Sequence, residues 1–167
     1  MAELTLEEAN QLDEDAFVDR FGSVYETSPW VAERSWSAQP FSSVGDLQGT
    51  FESTVEEASE ERTRELLKAH PDLGEQTEMT DASEQEQASA GLDQLTPEQY
   101  EAFQQLNDRY QGKFGFPFIM SVSDESPETI RSAMEERVEH TTDEEFRTAL
   151  DEVHEIARLR LDDMVDD

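Results

Sequence analysis

The sequence predicts an all-α fold, and three observations carry that expectation. Apolar residues recur at helical spacing along most of the chain, helix-start signatures precede those stretches, and no segment shows the sustained alternation of a strand. The 167 residues suffice for one domain with a real core and are too few for two comfortable ones. The expectation is therefore a single compact domain over residues 1–167, built from about seven to nine helices.

Thr5-Leu6-Glu7-Glu8 has the form of a capping box and opens a first helix. Residues 22–45, with Ser28-Pro29-Trp30 and Gln39-Pro40-Phe41, read as a short helical stretch mixed with turns. From Asp46, the residues Leu47, Phe51, Val55 and Ala58 form one apolar face of a second helix. Another helix runs from Ser59 to Ala69 and must stop before Pro71. Residues 82–90 read as a helix closed by Gly91 at the position past its end. Thr96-Pro97-Glu98-Gln99 combines a cap, an N1 proline and an N3 glutamine, so a helix starts there. It carries Tyr100, Phe103, Leu106 and Tyr110 on one face and is expected to end near Gly112. Ser126-Pro127 and Thr142-x-x-Glu145 begin the last two helices. Their buried faces use Ile130, Met134 and Val138, then Phe146, Leu150, Val153, Ile156 and Leu161.

Charge narrows the functional classes. Forty-two acidic residues against twelve basic ones give a formal charge of −30, and Lys68 and Lys113 are the only lysines. The acids are spread through every segment and not gathered in blocks, while two Trp and nine Phe supply a core. That pattern describes a folded domain with a solvated acidic skin, not a disordered polyanion. Such a skin suits a salt-rich cytoplasm, where screening removes most self-repulsion. Nucleic acid and anionic membrane surfaces are disfavoured as partners, because phosphate recognition needs clustered Lys and Arg. The absence of cysteine excludes disulfides and thiolate metal sites. Residues 1–10 hold three glutamates and no basic residue, unlike a secretory signal, and the longest apolar run, 116–122, is too short to span a bilayer. A soluble, cytoplasmic protein is expected.

Three short patterns stand out against this background: His70-Pro71-Asp72-Leu73-Gly74, Ser83-x-x-Glu86-Gln87-x-x-Ala90-Gly91-Leu92, and Phe114-Gly115-Phe116-Pro117-Phe118. His70 lies where Pro71 ends a helix. It can serve the helix dipole there, or act as a general acid/base, since imidazole both gives and takes a proton near neutral pH. Glu86 can be one more solvated carboxylate. Alternatively, with Ser83 and Gln87 one turn apart, it can form a polar pocket wall. The phenylalanine-rich turn is the least surface-like segment of the chain. It can be a buried connector with Gly115 in a special conformation, a wall that shows backbone groups to a ligand, or both.

These patterns, in this order, resemble the 2-oxo-4-hydroxy-4-carboxy-5-ureidoimidazoline (OHCU) decarboxylases of urate breakdown, in a haloarchaeal-type version. The resemblance covers nearly the whole chain. It includes Ser28-Pro29-Trp30-Val31-Ala32, residues 66–73, residues 86–92, Leu106-Asn107-Asp108, residues 113–120 and Ile156-Ala157-x-x-Arg160-Leu161-x-Asp163. One departure follows Leu73: the family often continues Ala-Gly-Lys, whereas Gly74-Glu75-Gln76 stands here.

The resemblance implies a lyase that removes CO2 from OHCU and yields (S)-allantoin without a metal or other cofactor. His70 matches the catalytic histidine and Glu86 its partner. Pro71, Ser83, Gln87, Phe116, Phe118, Ile119 and Arg160 match substrate-contacting positions. OHCU would be the small-molecule partner, and an apolar helix face leaves a homodimer as an option. Other readings are a helical scaffold protein without activity, marked by loss of His70 or Glu86, and a decarboxylase of a related heterocyclic acid. A metal site at Glu136/His140 or Asp151/His154 lacks any His-Glu-x-x-His or paired Glu-x-x-His pattern. Both histidines are therefore expected on helix surfaces or at helix ends.

The charge makes a direct test available. Circular dichroism melts in low and in molar salt should show stabilisation by salt; a melting temperature indifferent to salt would contradict a skin built for screening.

Overall fold

Short polar side chains decide where most of these helices begin. The computed structural model describes residues 4–26, 28–74, 81–123 and 125–166. Thr5 accepts from the Glu8 N–H while the Glu8 carboxylate accepts from the Thr5 N–H, opening α1 (Leu6–Ala9). The Thr5 N–H, and then the Thr5 hydroxyl, donate to the Glu8 carboxylate and hold it below its usual range. The helix does not continue: Asp13 caps a second one, α2 (Glu14–Phe21), so the single opening helix is two. Within the 22–45 stretch lie α3 (Trp30–Ser35) and a 3-10 turn (Trp36–Ala38). Next, α4 (Val44–Glu57) starts two residues before Asp46, because the Ser43 hydroxyl caps the Asp46 N–H. Ala58 is already extended at its end. Ser59 caps α5 (Glu60–Lys68) as expected.

After α6 (Asp81–Ser89), the sequence Thr96-Pro97-Glu98-Gln99 forms its full capping box and opens α7 (Pro97–Phe114). Gly112 does not stop α7. A helical glycine costs only about 1 kcal/mol, and the next half-turn buries Phe114 with its ring centroid 4.6 Å from that of Tyr110. Ser126 and Pro127 start α8 (Pro127–Arg137) as read.

The last helix, α9 (Thr142–Met164), departs in one instructive detail. Its capping box is Thr141 with Glu144, one residue earlier than expected. The Thr141 N–H bond pulls the Glu144 carboxyl below its usual range, and Glu145 is left for another task. The nine helices among the described residues bear out the all-α class. A two-residue parallel bridge, Leu4–Thr5 with Val165–Asp166, was too short to show any alternation in the sequence.

Contacts cluster into two units, residues 1–69 with 154–167 and residues 70–153. In the first unit, Phe17, Phe21, Tyr25, Phe41 and Phe51 form a buried aromatic core, with the Phe17 and Phe21 rings 4.8 Å apart. His154 belongs to this interior and not to a helix surface. It is 8% exposed, with Nδ1 2.8 Å from the Tyr25 hydroxyl, and its carbonyl accepts from Gln48. In the second unit the core is Phe103, Tyr110, Phe114, Phe116 and Phe118 with Ile130, Met134, Leu150 and Val153. Tyr100, expected on this buried face, sits on the first turn of α7 and is 38% exposed. A tyrosine tolerates that position because its hydroxyl end stays wet. Among the described residues, no helix is long and apolar enough to cross a membrane.

Candidate active site

The histidine-bearing turn is where residue chemistry first becomes specific. Pro71 cannot continue α5, so the chain leaves the helix at Ala69 and His70 begins a non-helical turn. His70 is buried, at 8% exposure, followed by half-buried Pro71 and Asp72 and buried Leu73 and Gly74. Three side chains hold this turn. Asn107 Nδ2 donates to the Leu73 carbonyl at 3.0 Å, Gln111 Nε2 donates to Asp72 Oδ1, and Gln87 Oε1 accepts the Gly74 N–H at 3.1 Å. Gly74 is required by geometry. Its φ is +79°, and an added Cβ would lie 3.0 Å from Leu95 Cδ1 and 3.4 Å from Phe103 Cγ.

On α6, Ser83 and Gln87 are buried and Glu86 is half-buried, so the three occupy one face as the spacing predicts. Gly91 closes the helix: its N–H reaches the Ala88 carbonyl, and the Leu92 N–H reaches the Gln87 carbonyl. Gln87, expected at the substrate, uses its side-chain oxygen to tie the histidine turn to α6.

Gly115, at φ +82°, turns the chain out of α7 into residues 116–119, all of them buried. Phe116 and Phe118 meet the Tyr110 ring edge-on, with centroids 5.9 and 5.4 Å away. The Arg137 guanidinium lies 4.3 Å from the centre of the Phe118 ring, and its Nη1 donates to the Ile119 carbonyl at 2.7 Å. The segment is therefore core through its side chains. Its backbone stays outside the helices, so the buried-connector reading made from sequence holds.

The structure thus joins the His70 turn to α6 and α7, and joins residues 116–119 to α7 and α8. Arg160 belongs to the first unit. There its Nη1 lies 3.1 and 3.3 Å from the Ser23 and Val24 carbonyls and 3.3 Å from buried Glu26. Sequence reasoning missed Asn107, Gln111, Arg137 and Glu145. Asn107 had a faint signal as a polar residue on the apolar face of α7. Glu145 was disguised as a helix cap; it is fully buried, bound by Arg137 Nε at 2.8 Å and the Tyr110 hydroxyl at 2.6 Å. His140, at a helix end as expected, places Nδ1 3.0 Å from the second Glu145 oxygen. Among the described residues no group of three or more acidic or histidine side chains gathers as a metal site.

Buried His70, on a turn tied to α6 and α7, is a side chain that can move a proton from a position held by helices. Comparison with known proteins identifies the family. A family model described as OHCU decarboxylase matches residues 10–162. The chain is 62% identical to a Haloferax volcanii protein named 2-oxo-4-hydroxy-4-carboxy-5-ureidoimidazoline decarboxylase, over 96% of each chain. It is 41% identical to the Bacillus subtilis uric acid degradation bifunctional protein PucL, covering 96% of this chain and 33% of that one. A solved structure described as (S)-allantoin synthase superimposes with a TM-score of 0.78 at 30% identity, over 94% of this chain and 52% of the other. The chain belongs to the OHCU decarboxylase family.

Burial has a pH consequence that can be checked. It pushes the phenols of Tyr25 and Tyr110 far above their ordinary value of 10.0, so both stay neutral in the fold. The unfolded chain ionises them near 10, so this stabilisation is complete below about pH 10 and drains away as pH rises above it. Urea midpoints should hold between about pH 7 and 9 and fall by about pH 11, and a Tyr25→Phe/Tyr110→Phe variant should fall less. Equal alkaline losses in both proteins would contradict this.

Proposed function

We propose that this protein decarboxylates OHCU to (S)-allantoin in urate degradation, with His70 and Glu86 as its catalytic pair. The carrying observation is that the chain belongs to this family and holds His70 buried on a turn tied down by Gln87, Asn107 and Gln111. One family match spanning 10–162 supports treating residues 1–167 as one domain of this kind.

The chemistry follows from what loss of CO2 leaves behind. The electron pair of the broken C–C bond passes into the substrate's own conjugated ring C=N, so the reaction needs no external electron sink. The protein has to hold the ring so that the breaking bond overlaps that π system, which is catalysis by orientation. It then has to deliver one proton to one face of the ring, fixing the S configuration. His70 moves that proton at the substrate hydroxyl or ring, and Glu86 orients the histidine or bonds the substrate. Pro71, Ser83, Gln87 and the 116–119 segment, with Phe116, Phe118 and Ile119, form the contacts that place the ring. Arg160 positions an imide or carboxylate oxygen through its planar fork. Gripping the departing carboxylate tightly would stabilise the ground state and slow the reaction, so its part is placement. The strong negative charge supports a cytoplasmic setting without nucleic acid or membrane partners. A homodimer is compatible with this reading.

The test is a chirality-resolved turnover assay, with OHCU generated in situ from urate in high-salt buffer and allantoin followed by circular dichroism. The parent protein should form the S product rapidly. Folded His70→Asn should lose about 10²- to 10⁴-fold in kcat, the worth of a general acid/base. Racemic allantoin from folded parent at the uncatalysed rate, or near-parental activity in His70→Asn, would contradict the assignment.

A further inference from the structure

Residues 116–119 have no backbone scaffold of their own. Among the described residues, the backbone of 116–121 makes no hydrogen bond to another backbone group. Side chains set its path instead: Arg137 Nη1 takes the Ile119 carbonyl at 2.7 Å, and Glu152 Oε1 accepts the Ser121 N–H at 3.3 Å. Arg137 also covers the Phe118 ring, so one guanidinium fixes a carbonyl and an adjacent aromatic face. Because the peptide unit is planar, holding the Ile119 carbonyl also fixes the Met120 N–H on the opposite side.

Arg137 is itself aimed by Glu145, whose side chain is fully buried and which accepts from Arg137 Nε. Such a pair is poor evidence for stability, since well-packed apolar residues of similar volume often stabilise as well or better. Arg137 even leaves Nη2 buried without a hydrogen-bond partner among the described residues. A buried charge pair with an orphaned donor points to what its satisfied bonds hold in place.

We propose that Arg137 and Glu145 are positioning residues: their buried pair sets the Ile119 carbonyl and the Phe118 ring, so that residues 116–119 meet the substrate in one fixed geometry. This rests on the reading of those residues as substrate contacts. A lysine cannot reproduce it, because a point charge on a flexible stem does not span Glu145 and the Ile119 carbonyl as a fixed fork.

The experiment compares parent, Arg137→Lys and Arg131→Gln, the last an exposed residue of α8, in the same assay per folded molecule. Arg137→Lys should lose about ten- to a hundredfold in kcat/KM, the scale of a small misplacement. Its KM should rise and its S excess should fall, while Arg131→Gln stays parental. A merely structural role would reduce folded protein and leave KM and the S excess unmoved, and that result overturns the proposal. If Arg137→Lys does not fold, the apolar swap Arg137→Met/Glu145→Leu is read by the same criteria. An arm without variants uses nitrogen-15 labelled parent: the Arg137 Nε–H resonance should shift on adding (S)-allantoin, and an unmoved resonance contradicts the coupling. A parent that does not turn over OHCU would instead defeat the functional reading, so the two failures are distinguishable.

Discussion

Glu145 is wholly withdrawn from water, and its two oxygens are shared among three elements of residues 70–153. Tyr110 reaches it from α7, Arg137 from α8 and His140 from the turn before α9, which carries the carboxylate itself. Leaving any buried charge of this kind unpaired would cost about 3–5 kcal/mol. The three elements are therefore fixed relative to one carboxylate, and through Arg137 so is the non-helical 116–119 segment. Through Tyr110 the same point is linked to α7, whose Asn107 and Gln111 hold the turn that carries His70. The local order of the candidate site thus rests on polar contacts made inside an aromatic core.

Most of the fold was legible from sequence because its signals are local. Thr5, Ser59, Thr96 and Ser126 each announce a helix start by chemistry that operates within one turn. Pro71 and Gly91 announce ends in the same way. The errors came where two local signals competed or a distant partner decided. Thr141 and Thr142 are adjacent caps followed by adjacent glutamates, and only the tertiary use of Glu145 selects the first pair. Gly112 reads as a stop until Phe114 is seen packed against Tyr110. His154 reads as surface until Tyr25, far away in sequence, is seen beside it.

The candidate site was legible in its residue types and less so in their duties. His70, Ser83 and Gln87 are buried as a site requires. Yet Gln87 spends its oxygen on the Gly74 amide, a task no spacing rule reveals. Asn107, Gln111 and Arg137 reach partners more than ten residues away, and Glu145 is claimed by Arg137, so beyond the polar break that Asn107 makes in the apolar face of α7, periodicity carried no trace of them. The acidic surface sets a further condition. A chain of charge −30 repels an anionic substrate at long range, and molar salt cuts the reach of that field to about 3 Å. Under such screening the long-range field of the acidic surface falls away, while buried charges are screened far less.

Under the proposed function, the His70 turn, the Ser83–Glu86–Gln87 face and residues 116–119 receive one small heterocyclic ligand. Titrating nitrogen-15 labelled protein with (S)-allantoin in high salt tests it most directly. Saturable amide shifts should gather on residues 70–74, 83–87 and 116–120. Shifts centred elsewhere, or none at saturating ligand, would contradict it.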